Sequence, residues 1–600
     1  MKKNQVKRIL ALTVIAAIIV GNFSGCGKSD ESGSMADHEA ESPADETDWG
    51  GYAEGEAEEP YWNKNSGNNY DAEEKAEAYA EPGESNDGAW ESEEAAEASS
   101  YAEGCYELWD PEEEEGRGRP ENTEEYSKWQ ERGFSSVLAE PLSTFAADVD
   151  TASYSNLCRL VKEGYTLDEI RDIEGAVRIE ELLNYFSYDY QEPKAGEPFG
   201  VNMQISKCPW NEEANLLLIG LATEKIDYKE APPSNLVFLL DVSGSMGDRD
   251  KLPLLQEAFC LLAENLTGKD RISIVTYSNE DRVVLSGARG DETGKIQRAV
   301  NGLEASGGTH GSKGLEAAYE VAEEYFIEGG NNRIILATDG DLNIGLTSEE
   351  ELEEFISEKK ESGIFLSVLG FGSGNLKDNK MEILADKGNG NYAYIDSLRE
   401  AKKVLVEEMT ATLLTICKDV KLQVEFNPAV VSDYRLIGYY NRGLDRRDFH
   451  DDTKDGGEIG AGHSVTVLYE LILKEPLSGM DDAEIEDLKY RSNYKDELKS
   501  NAVNGKAFSE EWLTLSIRYK KPSEEKSNLL QYPVSYADYV SEPGDDFVFA
   551  TAVAEFGLLA SDSSYAGEAS LRHVKRILND LDLNDEYKEE FRDMVKGIEN

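Results

Sequence analysis

Three oxygen-bearing side chains at alternate positions, Asp241, Ser243 and Ser245, follow directly on the apolar run Leu236 to Leu240. An unbroken run of that length is what a central strand buried on both faces requires. In an open α/β sheet, ligands bind in the crevice beyond the carboxyl ends of the strands, so one carboxylate and two hydroxyls would be presented there. These are hard oxygen donors, suited to Mg²⁺ or Mn²⁺ rather than to zinc. The same residues also read as a strand end followed by a serine-capped helix. Two later stretches bear on the choice. Gly307-Gly308-Thr309 precedes a helical pattern, and the apolar run from Ile334 ends in Thr338-Asp339-Gly340.

This combination resembles the von Willebrand factor type A (VWA) domain and its metal-ion-dependent adhesion site. The resemblance implies a ligand set of Asp241, Ser243, Ser245, Thr309 and Asp339 around one Mg²⁺ (or Mn²⁺). It also implies an open coordination position that a carboxylate from a protein ligand completes. Around the motif, strands and helices alternate between residues 231 and 418, the pattern of a doubly wound, mostly parallel sheet with helices on both faces. Arg271 to Tyr277 and Arg282 to Leu285 are expected to pair as an edge hairpin. Leu398 to Ile416 is expected to be one closing helix.

Six hundred residues with a formal charge of −61 exclude nucleic acid as a partner, because phosphate binding needs a basic face. Between Lys28 and Pro120 there are 30 Asp and Glu against five Lys and Arg, a local charge of −25 that leaves −36 for the rest. The same stretch contains no Val, Ile or Phe and only Leu108, so it cannot bury enough apolar surface to offset its ordering entropy. Residues 26–140 are therefore expected to be a disordered acidic linker. The six cysteines are scattered and form no C-x-x-C pair, and H-E-x-x-H is absent, which disfavours a disulfide scaffold and hydrolytic zinc chemistry.

Lys2, Lys3, Lys7 and Arg8 precede an apolar stretch from Ile9 to Val20, too short to span a bilayer and read as a signal peptide over residues 1–25. Phe23-Ser24-Gly25-Cys26 then resembles the bacterial lipobox, which implies that Cys26 is lipidated and anchors the mature chain to the membrane on its extracytoplasmic side.

Two modules are expected to flank the VWA domain. A small α+β N-terminal module spans residues 141–230, with strands over Asn202 to Ser206 and Leu216 to Leu221. A β-rich and helical C-terminal module spans residues 419–600, with strands over Val420 to Phe426, Ser464 to Leu473 and Trp512 to Tyr519 and a buried helix over Phe547 to Leu559. Pro141 to Tyr154 and Val177 to Phe186 resemble the segment ahead of the VWA domain in bacterial YfbK-type lipoproteins. The run through Phe556, with Arg518-Tyr519-Lys520 and Tyr532-Pro533-Val534, resembles their C-terminal domain. Asp148 and Asp150 are either a second cation site or turn and cap groups; their spacing favours the latter.

The reading that follows is a lipid-anchored, extracellular binding protein that captures a protein ligand through a divalent cation, and not an enzyme. Its rivals are a non-catalytic scaffold subunit of a cell-envelope complex and an envelope hydrolase. No G-x-S-x-G elbow or nucleophile–base pair supports the hydrolase.

Overall fold

The computed structural model of the protein describes residues 123–308, 312–340, 349–360, 362–474 and 511–598, all within one compact unit, Pro111–Asn600. The expected signal peptide, Cys26 and the linker up to residue 122 lie outside the described residues, as does Thr309.

Ahead of the VWA domain the elements are β1 (Ser135–Ser136), β2 (Leu142–Ala146), α1 (Ala152–Lys162), α2 (Leu167–Arg171), α3 (Ile179–Asn184), β3 (Phe199–Lys207) and β4 (Ala214–Thr223). The VWA domain then runs β5 (Ser234–Asp241), α4 (Leu252–Asn265), β6 (Arg271–Tyr277), β7 (Arg282–Arg289), α5 (Thr293–Asn301), α6 (Ser312–Glu324), β8 (Asn331–Thr338), α7 (Glu349–Lys360), β9 (Phe365–Phe371), α8 (Asp378–Lys387) and β10 (Tyr392–Ile395). Its sheet has the order β10-β9-β8-β5-β6-β7. All neighbours pair in parallel except β6 and β7, which form the expected antiparallel edge. Along β5, Leu236, Phe238 and Leu240 pack under α4, whereas Val237 and Leu239 pack under α6 on the opposite face. Two-sided burial is why the strand is a continuous apolar run.

The closing segment corrects the sequence reading. Leu398 to Ile416 is not one helix but α9 (Leu398–Lys402), a π turn over Lys403–Glu407 and α10 (Met409–Leu413), with strand β11 (Thr415–Phe426) already begun. At the break, Glu408 N–H donates to the Lys403 carbonyl, five residues back. Thr415 is then drawn into a pairing with Gly460, so tertiary strand pairing overrides helical spacing at the end of the segment.

After β11 come β12 (Val431–Ile437), β13 (Gly457–Gly460), β14 (Ser464–Leu473), β15 (Glu511–Lys520), β16 (Asn528–Ser535), α11 (Asp545–Ala560), α12 (Leu571–Asp580) and α13 (Glu586–Gly597). Here too the expected organisation is corrected. The segments on either side of the VWA domain are not separate modules. One sheet has the order β1-β12-β14-β4-β3, and the other joins β13-β11-β15-β16 with β2 paired on β11. The two sheets face each other across a core of Leu217, Ile219, Val465, Val467, Leu422, Val424, Leu513 and Leu515. On the outer face of the first sheet, Leu216, Leu218 and Leu468 pack against α1, α3 and α11–α13. Helix α11 is buried along nearly its whole length in that layer, which is why its sequence is apolar all round. The VWA domain is thus inserted into a sandwich whose halves come from both ends of the chain.

Residues 123–140, expected in the linker, are also part of the fold. Thr123 and Glu125 N–H groups donate to the Gly374 and Leu376 carbonyls, Trp129 stacks on Tyr440 at 4.8 Å, and β1 pairs with β12. Val137 supplies the buried apolar side chain, at 1% exposure, and the half-buried Trp129 and Phe134 add aromatic contacts.

The VWA domain meets the sandwich through a buried ionic layer. Arg178 Nη1 pairs with Asp378 Oδ2 at 2.6 Å and its Nε with Glu181. Arg442 pairs with Asp148 at 3.2 Å and Asp150 at 3.1 Å, and also reaches Asp386. Asp148 Oδ1 accepts the Asp150 N–H, and Asp150 Oδ1 accepts the Tyr392 N–H. The two aspartates therefore serve as turn and pairing groups.

Candidate metal centre

Strand β5 delivers Asp241 to the carboxyl edge of the VWA sheet, level with Tyr277 on β6, while Leu240 lies beside Ala337 on β8. Adjacent parallel strands in this register bring Asp241 and the Asp339 that follows β8 to the same crevice. Both are essentially fully buried, at 0% and 1% exposure. Asp241 Oδ1 accepts the Ser243 N–H at 2.8 Å, which turns the chain so that Ser243 Oγ and Ser245 Oγ lie 3.0 Å apart. Thr338 Oγ1 donates to Asp241 Oδ2 at 3.4 Å. Met246 is buried beneath a single 3₁₀ turn over Gly244–Gly247 and fixes the loop from below.

The second loop is tied to the first just before Thr309. Ser306 N–H donates to the Val242 carbonyl at 2.9 Å, and Gly244 N–H donates to the Gly307 carbonyl at 3.0 Å. Gly308 N–H donates to Asn279 Oδ1 at 2.8 Å. Gly307 has φ +82°, and a Cβ there would come within 2.8 Å of Ser278 Oγ, so glycine is needed for both backbone shape and close approach. Of the five residues expected at the site, the structure thus brings together Asp241, Ser243, Ser245 and Asp339 and anchors the loop that carries the fifth.

Among the described residues no three His, Cys, Asp or Glu side chains form a metal-binding cluster. The donors available here are two carboxylates and hydroxyls, a set suited to a hard divalent cation that keeps part of its own water. Burial pushes the Asp241 carboxyl up to about 6, and Asp339 adds to the rise. Two desolvated carboxylates facing one crevice are the electrostatic condition that a bound cation relieves.

One residue at the site was missed by the sequence reading. Lys251 is 5% exposed and places its Nζ 3.0 Å from Asp339 Oδ2. It is the N-cap of α4, the end of a helix where a cation is disfavoured. That mismatch between charge and helix end was the available signal.

Comparison with known proteins agrees with this architecture. The family description "von Willebrand factor type A domain" matches residues 235–407, "von Willebrand factor" matches residues 120–218, and "Uncharacterized protein YfbK, C-terminal" matches residues 411–600. The chain is 39% identical over 461 residues to the uncharacterized protein YfbK of Escherichia coli (strain K12), covering 76% of this chain and 77% of that protein. It is 31% identical over 148 residues to inter-alpha-trypsin inhibitor heavy chain H4 of Homo sapiens, covering 23% of this chain and only 16% of that protein. Among solved structures, a von Willebrand factor type A protein from Catenulispora acidiphila aligns with a TM-score of 0.37 at 14% identity, over 68% of this chain and 91% of that one. The VWA domain supports a role in protein interaction or adhesion in general. With a relative of this identity spanning three quarters of both chains, and family matches on both sides of the VWA domain, the chain belongs to the YfbK family of VWA-domain proteins.

Proposed function

We propose that the protein is a lipid-anchored, extracytoplasmic binding protein that captures a protein ligand through a divalent cation. Asp241, Ser243, Ser245, Thr309 and Asp339 would hold Mg²⁺ or Mn²⁺, and a lipid on Cys26 would hold the chain at the membrane. The observation that carries the reading is the convergence of the buried Asp241, Ser243 and Asp339 with the exposed Ser245 at one strand edge, the Ser243 and Ser245 hydroxyls 3.0 Å apart.

When bound, a divalent cation would supply the Lewis acidity that draws a carboxylate on the partner. The chain's own residues do the rest. Asp241 is oriented by the Ser243 N–H, so one of its oxygens is committed to the loop. The two serine hydroxyls contribute donors without adding charge, and Lys251 beside Asp339 offsets one of the two carboxylates, which together leave a divalent cation's charge incompletely matched and favour an anionic partner. The sandwich and the ionic layer hold the VWA domain in a fixed orientation on its support.

Isothermal titration with Mg²⁺, Mn²⁺ and Ca²⁺ tests the first step, and crosslinking from cell envelopes with and without EDTA tests the second. The reading expects Mg²⁺ or Mn²⁺ to bind at one site and EDTA to abolish capture. Equal capture in EDTA would overturn it.

A further inference from the structure

Among the described residues, Lys251 brings a cationic side chain into contact with the candidate metal centre, and its position is costly. Burying an ammonium forfeits its hydration, and the start of α4 adds an unfavourable partial positive charge. The surrounding structure nevertheless builds a place for it. Its aliphatic stem lies against Gly372, where an added Cβ would run into Lys251 Cγ, Cδ and Cε. The neighbouring Asp250 Oδ2 accepts the Ser373 N–H at 3.1 Å and the Ser373 hydroxyl at 3.2 Å, which locks the two loops around the stem. The ammonium then ends on Asp339 Oδ2 at 3.0 Å.

The geometry points to Lys251 as a built-in counter-ion that holds Asp339 in the metal-free protein and sets how tightly the centre binds a divalent cation. This inference rests on the divalent-cation reading of the site. An arriving cation must bind a carboxylate that the ammonium already neutralises through Oδ2, and it must tolerate a fixed positive charge beside it. Both effects weaken cation binding. The same charge keeps the two carboxylates together when no cation is bound, so the crevice does not open by repulsion. Lys251 is a positioning residue: it acts on the cation through Asp339.

The test uses the full folded chain in chelator-treated buffer, with Mg²⁺ alone as the probe. Lys251→Met should bind Mg²⁺ at least about tenfold more tightly than wild type by calorimetry, because the competing charge is gone. It should also melt at a lower temperature than wild type in EDTA, a readout independent of any bound metal. Lys251→Arg, which keeps the charge, should stay near wild type in both. Wild-type protein gives a further readout should Lys251→Met not fold. Modification of Lys251 by an amine-reactive ester, followed by mass spectrometry, should rise several-fold once Mg²⁺ is added. If wild type binds Mg²⁺ but Lys251→Met binds it no more tightly, or Lys251 labelling is unchanged, the counter-ion role is overturned. If neither protein binds Mg²⁺, it is the cation reading itself that fails, and the inference with it.

Discussion

The Tyr185 hydroxyl donates to Glu400 Oε2 at 2.7 Å, and through this bond the residue that caps the C-terminal end of α3 in the support grips helix α9, which closes the VWA domain. Lys403 places its ammonium 4.4 Å from the Tyr185 ring centroid, and the Tyr587 hydroxyl donates to Glu407 Oε2 at 2.7 Å. The π turn is thus bounded on its polar face by contacts to α3 and α13. The VWA domain is held both at the ionic layer and along its closing segment.

This grip is pH-dependent. Burial pushes the Glu400 carboxyl up to about 7, against the opposing pull of Lys403. A carboxyl whose folded-state pKa is raised contributes stability that is complete below its unfolded value and is lost as pH rises through the folded value. Melting temperature should therefore fall by a few degrees as pH rises from roughly 5 to 8, and Glu400→Gln should flatten part of that fall. Burial likewise raises Glu181 and Glu382, against the opposing pull of Arg178, so a residual slope should remain in the variant. Thermal melts of both proteins across that range decide the matter, and identical slopes would exclude Glu400 as a contributor.

Removing Arg178 should be severe. Its guanidinium is buried and serves Glu181 and Asp378 at once, so Arg178→Met strands two buried carboxylates. Breaking one side of such an arrangement costs about 3–5 kcal/mol. Urea unfolding should show the loss, and limited proteolysis should show the VWA domain separating from its support.

Asp241→Ala should abolish the Mg²⁺-dependent rise in stability without unfolding the protein. At a Mg²⁺ concentration one hundred times the dissociation constant, wild type should gain about 2.7 kcal/mol and the variant nothing. Thr309→Ala should retain part of the gain, since it removes a neutral hydroxyl. Melts in Mg²⁺ and in EDTA compare all three.

Cys26→Ser should release the protein from the membrane fraction and change its mobility, because a serine cannot carry the thioether-linked lipid. Fractionation followed by mass spectrometry of the N-terminal peptide checks this, and unchanged membrane retention would refute lipidation at Cys26.

The sequence made legible whatever depends on local pattern. Leu236 to Leu240 announces a two-sided strand because each residue meets a helix on one face or the other. Asp241, Ser243 and Ser245 announce the crevice because a parallel strand must end there. Long-range pairing was not legible. Nothing near Phe145 shows that it will lie opposite Leu422, because that register is set by strands 277 residues apart. Thr415 was misread for the same reason, since Gly460, which draws it into β11, lies in β13, and the Lys251 ion pair depends on a carboxylate that arrives from the loop after β8.

The insertion of the VWA domain into the sandwich imposes an order on synthesis. Among the described residues the VWA strands pair only with one another, so that sheet can close as soon as β10 has emerged at the site where the chain folds. Strands β2 and β4 have to wait for β11 and β14, and the second sheet is incomplete until Ser535 has been made. During that interval the apolar faces of β2, β3 and β4 stand without their eventual cover, a state in which chaperones or a folded VWA domain must keep them from other chains. A chain truncated after the VWA domain should accordingly aggregate through its own N-terminal strands, whereas the VWA segment expressed alone should not.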